Sequence, residues 1–183
     1  GRRVYLLYDK EYGIWAYDNV GRIFRYSKDN DSFKQILYLG ESIKDVILNN
    51  IFIDKKGNLW LGLNKGLYRR ESNGVITPIV NDIYVNKIIS DNRSIFVGSS
   101  TSIIKVDENG KKVETIHKGE DVQSMLYDKS SDIVWFGTFN SGIFSINMKS
   151  NEIYQLKSLY SDIKKPVRVL TEYDKNTIIA GID

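Results

Sequence analysis

The stretch DKKGNLWLGLNKGLYRR, Asp54 to Arg70, places two Gly-containing segments between short apolar and aromatic runs. LWLGL and LYRR have the aliphatic and aromatic content typical of strands. Gly57 and Gly66 fall in the segments KKGN and NKG, where a residue without Cβ takes positive φ at little cost. The stretch therefore predicts a turn, a strand, a second turn and a second strand, in that order.

The same pattern recurs along the chain. Its central positions are Trp15, Trp60, Phe96, Trp135 and Ile179. These anchors lie 45, 36, 39 and 44 residues apart, a mean of 41. Four short antiparallel strands in a period of about 40 residues are typical of a β-propeller blade. We predict an all-β fold, a β-propeller fragment of about four to five four-stranded antiparallel blades.

The predicted blades form one partial propeller over residues 1–183. They span approximately residues 4–38, 43–80, 84–118, 121–157 and a truncated 166–183. The end strands Val4–Asp9 and Ile178–Ile182 would have an unpaired edge, so we expect self-association or a homodimer. Because the last repeat stops before its second pair of strands, we also expect the chain to belong to a longer protein.

Composition narrows the classes of function. The 26 basic and 23 acidic residues give a net charge of +3 and are mixed along the chain. A nucleic-acid-binding face would show a basic stripe, so no nucleic acid partner is expected. The chain has no Cys, which excludes disulfides and thiolate metal sites. No apolar run is long enough to span a membrane, so membrane contact is expected only through other parts of the longer protein.

Catalytic motifs are scarce. The sequence has no phosphate-binding loop and no nucleophile elbow, and its single His, His117, is expected at the surface. A carboxylate ends the first strand of every repeat, which favours a turn role over general acid or base chemistry. These carboxylates are Asp9, Asp54, Asp91, Asp128 and Asp174. We therefore expect no catalytic residue, no metal and no cofactor, and we predict that this segment is not an enzyme.

The aromatic anchors invite a sugar-stacking interpretation. Their place in the middle of a strand between aliphatic residues instead predicts burial between blades. Two residues after the later anchors the chain has Gly62, Gly98, Gly137 and Gly181, which indicates a close approach of a neighbouring backbone or a kink. Tyr17 takes this place in the first repeat, so that blade is expected to differ.

Ligand contacts are expected in the loops. The turn between the second and third strands and the links between blades would share one face of a propeller, around the channel mouth. Our first candidates there are Tyr17, Asp18, Asn64, Lys65, Phe139 and Asn140. The same face would include Asn19, Ser99, Ser100, Thr101, Ser141, Tyr84 and the links 38–42 and 160–164. Such aromatic and polar residues suit a neutral or acidic sugar, and the alternative is solvated turns.

The residues from Asp54 to Arg69, Asp-x-x-Gly-Asn-Leu-Trp-Leu-Gly-Leu-x-x-Gly-Leu-Tyr-Arg, resemble the two-component regulator propeller repeat. A second copy begins at Trp135, with Trp-Phe-Gly-Thr-x-Asn-x-Gly-Ile-Phe. The resemblance implies the periplasmic sensor region of a Bacteroidetes hybrid two-component system. There, propellers are followed by an immunoglobulin-like domain, a membrane helix, a histidine kinase and often a response regulator.

The resemblance also implies a function. Such sensors detect breakdown products of a polysaccharide and switch on the genes for its use. The leading hypothesis is therefore a non-catalytic segment that recognises an oligosaccharide, and the fold alone would not support it. The alternatives are a structural or protein-interaction propeller scaffold without its own ligand site, and a propeller lyase or hydrolase.

Overall fold

The protein is built from antiparallel β-strands, as the sequence predicts. A computed structural model describes residues 1–156, 165–174 and 176–183. The described residues contain 18 strands, one short 3₁₀ turn and no α-helix. The chain divides into two compact units, Gly1–Tyr84 and Val85–Asp183, and each is described by itself.

The first unit contains two four-stranded sheets, with the strands in sequence order. The first sheet consists of β1 (Val4–Asp9), β2 (Gly13–Asp18), β3 (Arg22–Ser27) and β4 (Ser32–Tyr38). A 3₁₀ turn at Leu39–Glu41 follows it. The second sheet consists of β5 (Leu48–Ile53), β6 (Leu59–Leu63), β7 (Gly66–Arg70) and β8 (Ile76–Asn81). We call each sheet a blade.

The second unit contains two further four-stranded blades and one pair of strands. Its first blade consists of β9 (Val85–Ser90), β10 (Ser94–Ser99), β11 (Ser102–Asp107) and β12 (Val113–Lys118). The next consists of β13 (Val122–Asp128), β14 (Ile133–Thr138), β15 (Ile143–Asn147) and β16 (Ile153–Gln155). The pair is β17 (Val167–Asp174) and β18 (Thr177–Ile182). These sheets confirm the predicted all-β fold, which is consistent with a β-propeller fragment of four to five blades.

The stretch that predicts the fold forms strands where expected. Every residue of β6 is buried, which explains its unbroken apolar sequence. The turn into β7 needs Gly66, whose φ is +141°. A Cβ at Gly66 would lie 2.1 Å from the carbonyl oxygen of Val80. Only glycine therefore fits this turn.

The strand-ending carboxylates have the predicted turn role. In all five repeats an Oδ1 atom accepts a hydrogen bond from the backbone N–H two residues on. The donor–acceptor distance is 2.9 Å for Asp54 and 2.8 Å for the other four, Asp9, Asp91, Asp128 and Asp174. Each carboxylate thus stabilises the turn between the first and second strands of its blade.

Each unit has its own apolar core. The core of the first unit is built around Ile23, Leu39, Leu48 and Leu61, all fully buried. The core of the second unit includes the fully buried Phe96, Val122 and Phe136, among other residues. Three of the four aromatic anchors are buried as predicted: Trp15, Trp60 and Phe96. Trp135 is only partly buried.

Candidate functional site

Four blades share a β-bulge near the start of their first strand. Each bulge inserts one extra residue into the first strand of the blade. The extra residue lies between the partner of the Gly two positions after the anchor and the partner of the residue that follows this Gly. The inserted residues are all polar: Asn49 in β5, Asn86 in β9, Gln123 in β13 and Arg168 in β17. A bulge bends the strand and changes the direction of a side chain, and bulges are common beside binding sites.

The first blade lacks this feature. The pairing of β1 with β2 has no register shift, and Tyr5 lies opposite Tyr17. Tyr17 stands where the later repeats have Gly. The blade therefore differs from the others at the position that the sequence singles out.

In the second unit the bulge residues join one hydrogen-bond network. Asn86 Nδ2 donates to Asp121 Oδ1 at 3.0 Å, and Gln123 Nε2 donates to the same oxygen at 2.8 Å. Arg168 Nη1 donates to Gln123 Oε1 at 2.5 Å, and Arg168 Nε donates to Asp183 Oδ2 at 2.9 Å. We call these five residues the bulge network. It links β9, β13 and β17 at the ends where these strands begin.

Phe139 adds an exposed aromatic ring to the network. Its side chain is 45% exposed, and the guanidinium carbon of Arg168 lies 5.6 Å from the ring centroid. The backbone N–H of Phe139 donates to the carbonyl oxygen of Asp121 at 2.8 Å. An exposed ring next to convergent donors and acceptors can pack against the C–H face of a sugar while its hydroxyls are bound.

The neighbouring turn residues are fixed by local bonds. Asn140 is exposed, and its Oδ1 accepts a hydrogen bond from Ser141 Oγ at 3.3 Å. Gln155 Nε2 donates to the carbonyl oxygen of Ser141 at 2.8 Å. Phe139 and Asn140, both predicted from the sequence, therefore lie together at the tip of the β14–β15 turn.

The predicted residues of the first unit have structural partners. Asn64 Oδ1 accepts from the backbone N–H of Ile47 at 2.8 Å, and its Nδ2 donates to the carbonyl oxygen of Asp45 at 3.1 Å. Lys65 Nζ donates to the carbonyl oxygen of Lys44 at 2.6 Å. Both side chains thus hold the link between β4 and β5.

The sequence predicts that Tyr17 and Asp18 lie in an exposed loop, and this prediction is wrong. Both belong to β2 and are 5% and 1% exposed. Tyr17 stacks on Tyr5 with a centroid separation of 5.1 Å, and burial raises its pKa to about 12. Asp18 accepts from Arg22 Nε at 2.7 Å. The reason is that β2 continues through both residues, so the turn begins only after Asp18.

Of the other loop residues that the sequence predicts at this face, some make structural hydrogen bonds and some are exposed. Asn19 Oδ1 accepts from the backbone N–H of Arg3, and Ser99 Oγ lies 2.9 Å from Ser102 Oγ. Tyr84 is 40% exposed, and its hydroxyl lies 3.4 Å from Asn49 Oδ1. The link 160–164 lies outside the described residues.

His117 is partly buried, so the prediction that it lies at the surface is wrong. It lies in β12 opposite Ile103, and its ring centroid is 5.3 Å from that of Phe136 and 6.2 Å from that of Phe144. Its Nε2 atom is buried. A bulge in β12 between the partners of Ile103 and Ile104 shifts the register at this point. Burial lowers the pKa of His117, although Glu120 acts in the opposite direction.

This burial predicts a pH-dependent stability. The folded-state pKa of His117 lies below its ordinary value of 6.5, so the unfolded chain binds more protons between the two values. His117 should therefore cost no stability above pH 6.5, and the free energy of unfolding should decrease as pH falls from there towards the folded-state pKa. We expect His117→Gln to lose this part of the pH dependence in urea unfolding at pH 7.5 and pH 5. Equal slopes for the two proteins would contradict the assignment.

Within the described ranges, no group of three or more His, Asp or Glu residues could hold a metal ion. The same part of the chain contains no helix long and apolar enough to cross a membrane.

The bulge residues were missed by sequence reasoning. A signal for them exists, because each follows a buried aliphatic residue at the start of the first strand. The pairs are Leu48–Asn49, Val85–Asn86, Val122–Gln123 and Val167–Arg168. Their spacings of 37, 37 and 45 residues follow the repeat.

The fold is similar to that of two bacterial extracellular domains whose structures have been solved. The extracellular domain of the hybrid two-component system BT3049 from B. thetaiotaomicron is 17% identical over 97% of this chain, with a TM-score of 0.77. The corresponding domain of BT4673 from the same organism is 22% identical over 98% of this chain, with a TM-score of 0.63. This chain spans 25% and 30% of the length of those two chains.

The likeness extends to proteins of other kinds. A chain of a mitotic checkpoint complex is 13% identical over 98% of this chain and 62% of its own length, with a TM-score of 0.71. Identities this low show a shared fold alone. No family profile and no curated protein matches the sequence. The two bacterial neighbours are extracellular domains of hybrid two-component systems.

Proposed function

We propose that this chain is an extracytoplasmic, periplasmic sensor segment of a hybrid two-component signalling protein, and that it recognises an oligosaccharide. Recognition occurs at Phe139 and the bulge network. The rest of the signalling protein, a histidine kinase, then controls polysaccharide-utilisation genes. The two B. thetaiotaomicron neighbours, which are extracellular domains of hybrid two-component systems, support the signalling context.

One observation supports an oligosaccharide as the ligand. The exposed Phe139 ring lies beside a network that offers both donors and acceptors, from amide, guanidinium and carboxylate groups. Sugars present apolar C–H faces and hydroxyl groups that both donate and accept. An aromatic ring beside polar donors and acceptors therefore matches a sugar better than it matches a purely apolar or purely charged ligand.

The test is calorimetric binding of a panel of plant and host oligosaccharides to the chain and to Phe139→Ala. We expect at least one sugar class to bind, and the variant to lose about ten-fold in affinity, because removing a stacked ring costs on the order of 1 kcal/mol or more. Phe33→Ala is the matched control, since Phe33 is also 45% exposed but lies in β4 of the other unit. Equal affinity losses in the two variants, or no binding by any sugar, would contradict the proposal.

A second candidate is an assembly role, which the outward face of β1 favours. Val4, Leu6 and Tyr8 alternate along this strand and are 65%, 72% and 72% exposed. Such a row of apolar side chains suits packing against another β-sheet, including that of a second copy in a homodimer. If this were the whole function, the sugar panel would show no binding and Phe139→Ala would behave like the wild type.

A further inference from the structure

Lys87 occupies a repeated position with an unusual residue type. It follows the bulge residue Asn86 in β9 and lies opposite Gly98. The residues at the same position in the other bulged blades are Asn50, Ser124 and Val169. Lys87 is therefore the only charged residue among these four, and it stands one residue from the bulge network.

The position faces the next blade of the second unit. A Cβ at Gly98 would lie 2.6 Å from Val122 Cγ1 and 2.8 Å from the sulfur of Met125, so this face of β9 and β10 packs closely against β13. The hydroxyl of the equivalent Ser124 has a partner on the facing strand, because it donates to the carbonyl oxygen of Val167 in β17 at 2.7 Å. The Cβ atom of a lysine at this position therefore lies between β9 and β13 rather than in open solvent.

The charge of Lys87 is not compensated within the part of the chain that the structure describes. There, neither a hydrogen bond nor an ion pair engages its ammonium group, and burial lowers its pKa. Lys87 is partly buried. Even partial burial of an uncompensated cation costs folding free energy, whereas an apolar side chain of similar length would avoid that cost. A residue type that lowers stability at a repeated position between two blades is a candidate for ligand binding.

The other cation nearby is already engaged. Arg168 is paired with Asp183 at 2.9 Å and donates to Gln123, so little of its charge is available to an anion. Lys87 differs because its ammonium group has three donors and no described acceptor. The net charge of +3 does not repel an acidic ligand.

We propose that Lys87 binds an anionic substituent, a carboxylate or sulfate group, of the recognised oligosaccharide. This inference rests on the proposed function and narrows its ligand class to acidic sugars. The bond is a charge-assisted hydrogen bond between the ammonium group and an anionic oxygen. Phe139 and the bulge network then bind the uncharged part of the same ligand.

The test compares charged saccharides with their neutralised forms. The probes are oligogalacturonate with its methyl ester, and heparin and chondroitin sulfate fragments with desulfated, carboxyl-reduced forms, all titrated calorimetrically. We expect at least one charged member to bind about ten-fold more tightly than its neutral form, which is about 1.4 kcal/mol, because a charge-assisted hydrogen bond is stronger than a neutral one. Lys87→Met should abolish this preference and Lys87→Arg should retain most of it. Lys118→Met, an exposed residue of β12 in the same blade, should leave it unchanged.

Each outcome separates the two proposals. Binding of neutral sugars without preference for the charged forms would leave the proposed function intact and overturn the role of Lys87. A preference that survives in Lys87→Met would also overturn it. No binding of any saccharide would overturn both. A structural role is excluded by a further readout: without ligand, the thermal unfolding midpoint of Lys87→Met should equal or exceed that of the wild type, and a lower midpoint would count against the inference.

Discussion

Trp60→Ala is expected to lower the free energy of unfolding by about 3–5 kcal/mol, the range for deleting a large aromatic side chain from a core. Trp60 is fully buried, and its Nε1 donates to Asp54 Oδ2 at 2.9 Å. Arg69 is the residue opposite Trp60 in β7, and its guanidinium carbon lies 5.5 Å from the centroid of the Trp60 ring. The substitution removes the buried ring, the hydrogen bond and the cation–π contact together.

Trp135→Ala is the matched comparison. Trp135 is the equivalent anchor, but it is only partly buried and its Nε1 has no hydrogen-bond partner in the described structure. The residue opposite it in β15 is Ser145, not a cation. We expect a loss of about 1–2 kcal/mol, because Trp135 buries less apolar surface on folding than Trp60 does. Urea unfolding followed by circular dichroism measures both, and similar losses would refute the stabilising role given to the surroundings of Trp60.

Gly137→Ala is expected to destabilise the second unit by about 1–3 kcal/mol, the range for overpacking a filled core. A Cβ at this position would lie 2.5 Å from Ser124 Oγ and 2.5 Å from Val167 Cγ1. Ser124 Oγ also donates to the carbonyl oxygen of Val167, so these atoms tie β13 to β17. The added methyl group has to push the two strands apart or break that bond.

Gly181→Ala tests whether close approach is the cause. Gly181 is the equivalent residue of β18, and the nearest atom to its Cβ position is Val169 Cβ at 3.4 Å, an ordinary contact. We expect a change within about 0.5 kcal/mol, as for most substitutions without a named mechanism. Thermal and urea unfolding of both variants give the comparison. Equal effects at Gly137 and Gly181 would show that loss of glycine, not crowding, is responsible.

The glycines show how far the sequence prediction extends. The repeat predicts that no side chain fits two residues after an anchor, and Gly98 and Gly137 confirm this. The approaching atoms belong to side chains, however, and not to backbone: Val122 and Met125 at Gly98, and Ser124 and Val167 at Gly137. At Gly181 the approach is not close. Spacing identifies the position, but the identity of the approaching group depends on how blades pack.

The candidate site was predicted in part. Phe139 lies exposed at a turn because the second strand of its repeat ends just before it, and strand ends follow from local pattern. Tyr17 has the same local signals and is buried, because β2 extends further in its blade and the Tyr side chain stacks in the core. Burial of this kind depends on contacts distant in sequence.

By itself, the sequence determined the period, the strands and the turns, because these depend on nearest neighbours: the alternation of apolar runs with glycine, and a strand-ending Asp whose carboxylate bonds to the backbone two residues on. Only the tertiary structure decided where polar side chains meet. Asn86, Gln123 and Arg168 are 37 and 45 residues apart and come together because each occupies a bulge at the start of a first strand. Bulges and blade packing arise from pairing between strands, which no single stretch of sequence encodes.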